Sequence, residues 1–120
     1  MNEQTTTVPV EITVDLKKYR IRLFKTTLHL LKDPYYIQLL VNPEAEIVAL
    51  KSVDHSTSGD QAHRIPKASP KSVEIYSRSF VTKLIEVAGN LDSGHSYKMT
   101  GVVVPKDSIA VFSLKTLTRI

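Results

Sequence analysis

Three cations stand at alternate positions early in the chain: Lys18, Arg20 and Arg22. On an extended strand, alternate side chains project to one side, so these form a row spaced about 6.5–7 Å apart. A row of that kind can follow nucleic-acid phosphates, through an attraction that weakens steeply with salt. The competing use is a solvated outer sheet face whose charge deters edge pairing. Lys25 follows closely. A second cluster comprises Arg64, Lys67 and Lys71, with Arg78 and Lys83 beyond it. Basic arms can touch backbone phosphate, and they also serve simply to keep a loop soluble. The residues expected to contact DNA are Lys18, Arg20, Arg22, Lys25, Arg64 and Lys67.

Other chemistry is sparse. The histidines are His29, His55, His63 and His95. Asp54, His55, Asp60 and His63 share one loop, but their spacing matches no metal-ligand signature. No G-x-S-x-G elbow, dinucleotide fingerprint or phosphate loop occurs. Ser77 and Ser79 precede a helix, where capping is the usual role. The absence of cysteine excludes disulfides, thiolate catalysis and cysteine zinc sites. The expectation is a non-enzyme with no cofactor, no metal and no evident small-molecule substrate. Tyr35 and Tyr36 open a strand on opposite faces, so one of them can be exposed for stacking or for an interface.

These residues must be held by a domain of ordinary composition, 42% hydrophobic and 23% charged over 120 residues. The net charge is +4. Residues 1–60 carry 7 Lys/Arg against 8 Asp/Glu and residues 61–120 carry 9 against 4, so the excess sits in the second half. That suits an anionic partner without requiring one. No basic start leads into an apolar core, and no run approaches the roughly 18 apolar residues that span a bilayer. A cytoplasmic location with no membrane partner is expected.

Val10, Ile12 and Val14 alternate with polar residues, and so do Tyr19, Ile21 and Leu23, giving two half-buried strands. A short helix is expected over Thr26–Lys32, capped by Thr26 or Thr27 and stopped by Pro34. Tyr35–Val41 and Glu46–Val53 form a hairpin around residues 42–45. His63–Ile65 can add a short strand, and Pro66–Lys71 reads as a linker. Ser72–Tyr76 is a strand. A helix follows, capped by Ser77 or Ser79, with a Phe80, Val81, Leu84, Ile85 and Ala88 stripe and Gly89 at its end. Tyr97–Val104 and Ile109–Leu114 form a second hairpin, and the tail Lys115–Ile120 extends the last strand or frays.

Strand, helix and hairpin thus occur twice. Val41–Ile47 and Val103–Ile109 share V-x-P-x-x-x-I at an offset of 62, while Ile21 and Ile75 match at 54. The expected fold is α+β: one domain over 1–120, made of two βαββ units with a mostly antiparallel sheet. The first unit covers 18–53, loop and linker 54–71, and the second unit 72–114. The order Arg20–Lys25, a helix ending Leu30-Leu31, and the Ile37–Leu50 hairpin resembles the AbrB-type unit, and the two-copy layout is similar to MraZ-like proteins. That resemblance implies a DNA-binding or transcription-regulatory module, working as a homodimer, with Arg20, Arg22 and Lys25 facing DNA. The alternative is a non-enzymatic structural or protein-interaction domain that self-associates.

Overall fold

Apolar alternation sets the strands, as expected. The computed structural model describes residues 7–54, 62–66 and 71–120. In β1 (Val8–Asp15) Ile12 and Val14 are buried, and in β2 (Arg20–Phe24) Ile21 and Leu23 are, with the residues between them turned outward. The remaining strands are β3 (Tyr36–Asn42), β4 (Ile47–Val53), β5 (Ala62–Arg64), β6 (Ser72–Tyr76), β7 (Ser96–Val104), β8 (Ile109–Ser113) and β9 (Thr118–Arg119). Two helices interrupt them, α1 (Lys25–Leu30) and α2 (Arg78–Ala88).

This architecture overturns the α+β, two-unit expectation. About half of the described residues are strand, and all strands join one antiparallel sheet. The order β5-β3-β4-β8-β7-β1-β2-β6 wraps into a nearly closed eight-strand barrel, with β9 added on β7. The helices are too short to build a layer of their own. The strands also pair across the two halves of the chain, β1 with β7, β2 with β6 and β4 with β8, so neither half owns a sheet. The residues matched at an offset of 62, Val41 and Val103, stand on β3 and β7, which do not pair. Ile21 lies opposite Ile75, flanked by Arg20 opposite Tyr76 and Arg22 opposite Glu74. Ala49 lies opposite Val111, flanked by Val48 opposite Phe112 and Leu50 opposite Ala110.

The two hairpin turns differ where they begin and agree where they end. Asn42 Oδ1 accepts from the Glu44 and Ala45 N–H groups, each at 3.1 Å. Glu46 then enters the left-handed region at φ 58°, as Ser108 does at φ 51° after a 3-10 turn over Pro105–Asp107. The tail is ordered by a second 3-10 turn, Leu114–Thr116, which leads into β9 against Lys98 and Tyr97.

Helix α2 follows its expectation. Ser77 Oγ accepts from Phe80 N–H at 3.2 Å, a cap worth about 1 kcal/mol. Gly89 at φ 92° ends the helix, and Phe80, Val81 and Leu84 are buried against the barrel core. Helix α1 differs. Strand β2 runs straight into it with Phe24 at the cap and no side-chain cap bond, so Thr27 is an interior, buried residue. Lys32 and Asp33, at φ 70° and 50°, end it just before Pro34. Among the described residues, no helix is long and apolar enough to cross a membrane.

Candidate functional site

Of the expected basic row only Arg20 and Arg22 stand on the outer face of β2, and both have carboxylate partners. Arg20 meets Asp15 of β1 at 3.1 Å and Glu74 of β6 at 3.8 Å, and Arg22 meets Glu74 at 2.8 Å. Register causes this: Asp15 stands opposite Arg20, and Glu74 opposite Arg22, on the strands either side. The hydrogen bond from Arg22 is the main reason the Glu74 carboxyl is held below its ordinary pKa, with Arg20, Arg22 and Lys18 adding attraction. Arg20 is held above its ordinary value, first by hydrogen bonding to Tyr76 and then by Glu74 and Asp15. Two guanidiniums and two carboxylates thus leave little net charge on this face.

The other expected DNA contacts scatter. Lys18 lies exposed in the β1–β2 turn, whose Lys17 and Lys18 N–H groups bond Asp15 Oδ1. Arg78 stacks 4.5 Å from the centre of the Tyr19 ring, and Lys83 lies 4.0 Å from Glu86. Lys67 lies outside the described residues, as do His55 and Asp60 of the loop considered for metal binding. Among the described residues no group of three potential metal ligands comes together. His29 pairs with Asp33 at 2.7 Å, and His95 lies 3.6 Å from Asp92.

Arg64 leads to a different site. The barrel stays open between β5 and β6, leaving a cleft of about 590 Å³. It is lined by Arg64, Ile65 and Pro66 on one side and Glu74, Ile75 and Tyr76 on the other, with His63 behind. A smaller depression of about 280 Å³ continues it through the shared Ile65 and Pro66 to Lys25, Pro34 and Tyr35. The cleft and its continuation carry two exposed tyrosines, Tyr76 at 61% and Tyr35 at 69%, so of the expected contacts Arg64 and Lys25 share one groove.

Hydrogen-bond parity shows what the cleft offers. Ser77 N–H donates to the Tyr19 carbonyl at 3.0 Å and Lys25 N–H to the Lys71 carbonyl at 2.9 Å, extending the β2–β6 ladder at both ends. The odd-numbered residues of β6 therefore turn their main chain to β2, and Glu74 and Tyr76 turn theirs to the cleft. On β5, Ile65 N–H donates to the Tyr35 carbonyl at 2.8 Å, so His63 faces β3 and Arg64 turns its main chain to the cleft. None of these three has a main-chain partner among the described residues. Where β1 meets β2 the same kind of edge is closed, Thr13 lying opposite Arg22 and Asp15 opposite Arg20.

His63 borders the cleft, and burial lowers its pKa below 6.5. The unfolded chain then takes up a proton at a pH where the folded chain still resists it. Stability is expected to be intact above pH 6.5 and to fall as pH drops through 6.5 towards the lower folded value. Urea unfolding at pH 7.5 and 5.5 should show that loss, and His63→Gln should reduce it.

No protein-family model matches the chain, and neither a curated protein nor a solved structure does. The comparisons therefore lend no support to the AbrB- and MraZ-like resemblance.

Proposed function

We propose that this chain is a non-enzymatic interaction module that takes an extended peptide segment as an added strand in the cleft between β5 and β6. The observation that carries the reading is the set of main-chain N–H and C=O groups of Glu74, Tyr76 and Arg64 aimed at one gap. An extended peptide pairs with such an edge through its own main chain, while its side chains set preference. Ile65 and Ile75 favour an apolar residue on the inner side. Arg64 favours an acid beside it, and the exposed tyrosines supply flat contact area. The DNA reading draws less support, because Arg20 and Arg22 already face Asp15 and Glu74.

The test is a random ten-residue peptide display library panned on the whole chain, with amide exchange mapping the site. Selected peptides should protect the Glu74, Tyr76 and Arg64 amides. Tyr76→Pro removes one cleft-facing N–H without touching the β2 ladder and should weaken binding at least tenfold. Tyr76→Ala, which keeps that N–H, should weaken it less. Peptides that bind elsewhere, or that bind Tyr76→Pro as well as the parent, would overturn the reading. So would tighter, salt-sensitive binding of a 20-base-pair DNA duplex that Arg20→Ala and Arg22→Ala abolish.

A further inference from the structure

The path of the strands limits which way an added strand can run. Every neighbouring pair from β5 to β6 is antiparallel, so these two strands, at the ends of the eight-strand path, run in opposite directions. A single strand between them is therefore antiparallel to one edge and parallel to the other. An inserted hairpin would keep the alternation but needs twice the room. With strands about 4.8 Å apart, a rise of about 3.3 Å per residue and a layer about 10 Å thick, one strand of three to four residues fills roughly 480–630 Å³. The cleft of about 590 Å³ thus holds one strand and not two.

The two edges are unequal. Strand β6 turns the main chains of both Glu74 and Tyr76 into the cleft, two successive bonding positions of one antiparallel ladder. Strand β5 turns Arg64 into it, and the next position of the same parity, Pro66, has no N–H to donate. Parallel pairing is also slightly the weaker of the two kinds. The antiparallel ladder therefore belongs to β6 and the parallel one to β5.

We infer, resting on the strand-addition reading above, that the peptide runs antiparallel to β6, with its N-terminal side at Tyr76 and its C-terminal side at Lys25, where it carries an apolar residue and an acid. Main-chain pairing sets the two ends of the groove. Lys25 N–H donates to the Lys71 carbonyl at 2.9 Å, just ahead of Ser72, so Lys25 marks the end at which β6 starts. A chain antiparallel to β6 leaves the cleft at that end and crosses Ile65 and Pro66 into the depression of about 280 Å³. Leu28, Pro34 and Tyr35 give the depression apolar walls. Asp33 also borders it but lies 2.7 Å from His29, whereas Lys25 has no ion-pair partner among the described residues. An acid on the peptide supplies that partner.

The test uses the decapeptide that binds the whole chain most tightly in the panning, made with a nitroxide at its N-terminus or at its C-terminus. The N-terminal label should broaden the Tyr76 amide resonance most, and the C-terminal label those of Lys25 and Tyr35. Lys25→Glu should weaken the decapeptide at least fivefold. Replacing the peptide's acid by glutamine should weaken it as much on the parent chain and little further on Lys25→Glu. Panning on Lys25→Glu should exchange the acid in the C-terminal half of the selected peptides for lysine or arginine. A reversed broadening pattern, or an exchange in the N-terminal half, would overturn the direction and leave strand addition standing. Affinity unchanged by both Lys25→Glu and the glutamine peptide would overturn the assignment of the acid. A decapeptide indifferent to Tyr76→Pro, or a panning that selects no peptide, would remove the strand-addition reading and this inference with it.

Discussion

Phe112→Ala is expected to lower the free energy of unfolding by about 3–5 kcal/mol, the range for removing a buried aromatic ring. Phe112 is fully buried and stands at a junction of the fold, opposite Val48 on β4 and Gly101 on β7. Its ring therefore belongs to the core that both hairpins share. At this chain length each kcal/mol shifts the midpoint by about 3–5 °C, so thermal melting should fall by on the order of 10–20 °C. Phe112→Leu keeps most of the volume and should lose less than half as much. A melting change under 3 °C for Phe112→Ala would show that the hairpins do not share a core.

Gly101→Ala should be almost as damaging, by about 2–3 kcal/mol, the upper part of the range for overpacking. A methyl group at this position would lie 2.0 Å from the Val111 carbonyl oxygen and 2.7 Å from Phe112 Cα. Both are main-chain atoms, so no side chain can turn aside, and β7 or β8 has to shift. By contrast Gly89 has open space around it, so replacing it acts through its φ of 92° alone and not through a clash. Urea unfolding of Gly101→Ala should show a lower midpoint together with loss of protection across the β7–β8 pairs. A variant as stable as the parent would contradict the close approach of these strands.

Much of the local structure was legible in the sequence, and the reason is local. Alternation at Ile12 and Val14, the Asn42–Ala45 turn, and the Ser77 cap with the Phe80–Leu84 stripe all depend on residues within a few positions of one another. Cross-strand partners are not local. Glu74 lies 52 residues from Arg22, and nothing around Arg22 announces a carboxylate opposite it. The cleft was hidden for a related reason. It consists of pairs that do not form, and a three-residue β5 looks like any short strand until its far edge is found open. The matches at offsets of 54 and 62 belong to no repeated unit: Ile21 pairs with Ile75 across the sheet, and Val41 and Val103 lie on strands that do not pair. Helix α1 was misread at its start because threonines suggest a cap, whereas Phe24 continues the strand into the helix.

Pairing across the halves also decides when the molecule can form during synthesis. Strands β1 and β2 have partners in β7 and β6, and β4 pairs with β8 as well as with β3, so the first half leaves the ribosome with edges that only the second half closes. Only after residue 113 is out can β8 join β4 to β7. Such distant contacts place folding on the millisecond-to-second scale and lengthen the time that bare edges are available to neighbouring chains. The rate at which this protein is translated is therefore expected to govern its yield more strongly than its final stability does.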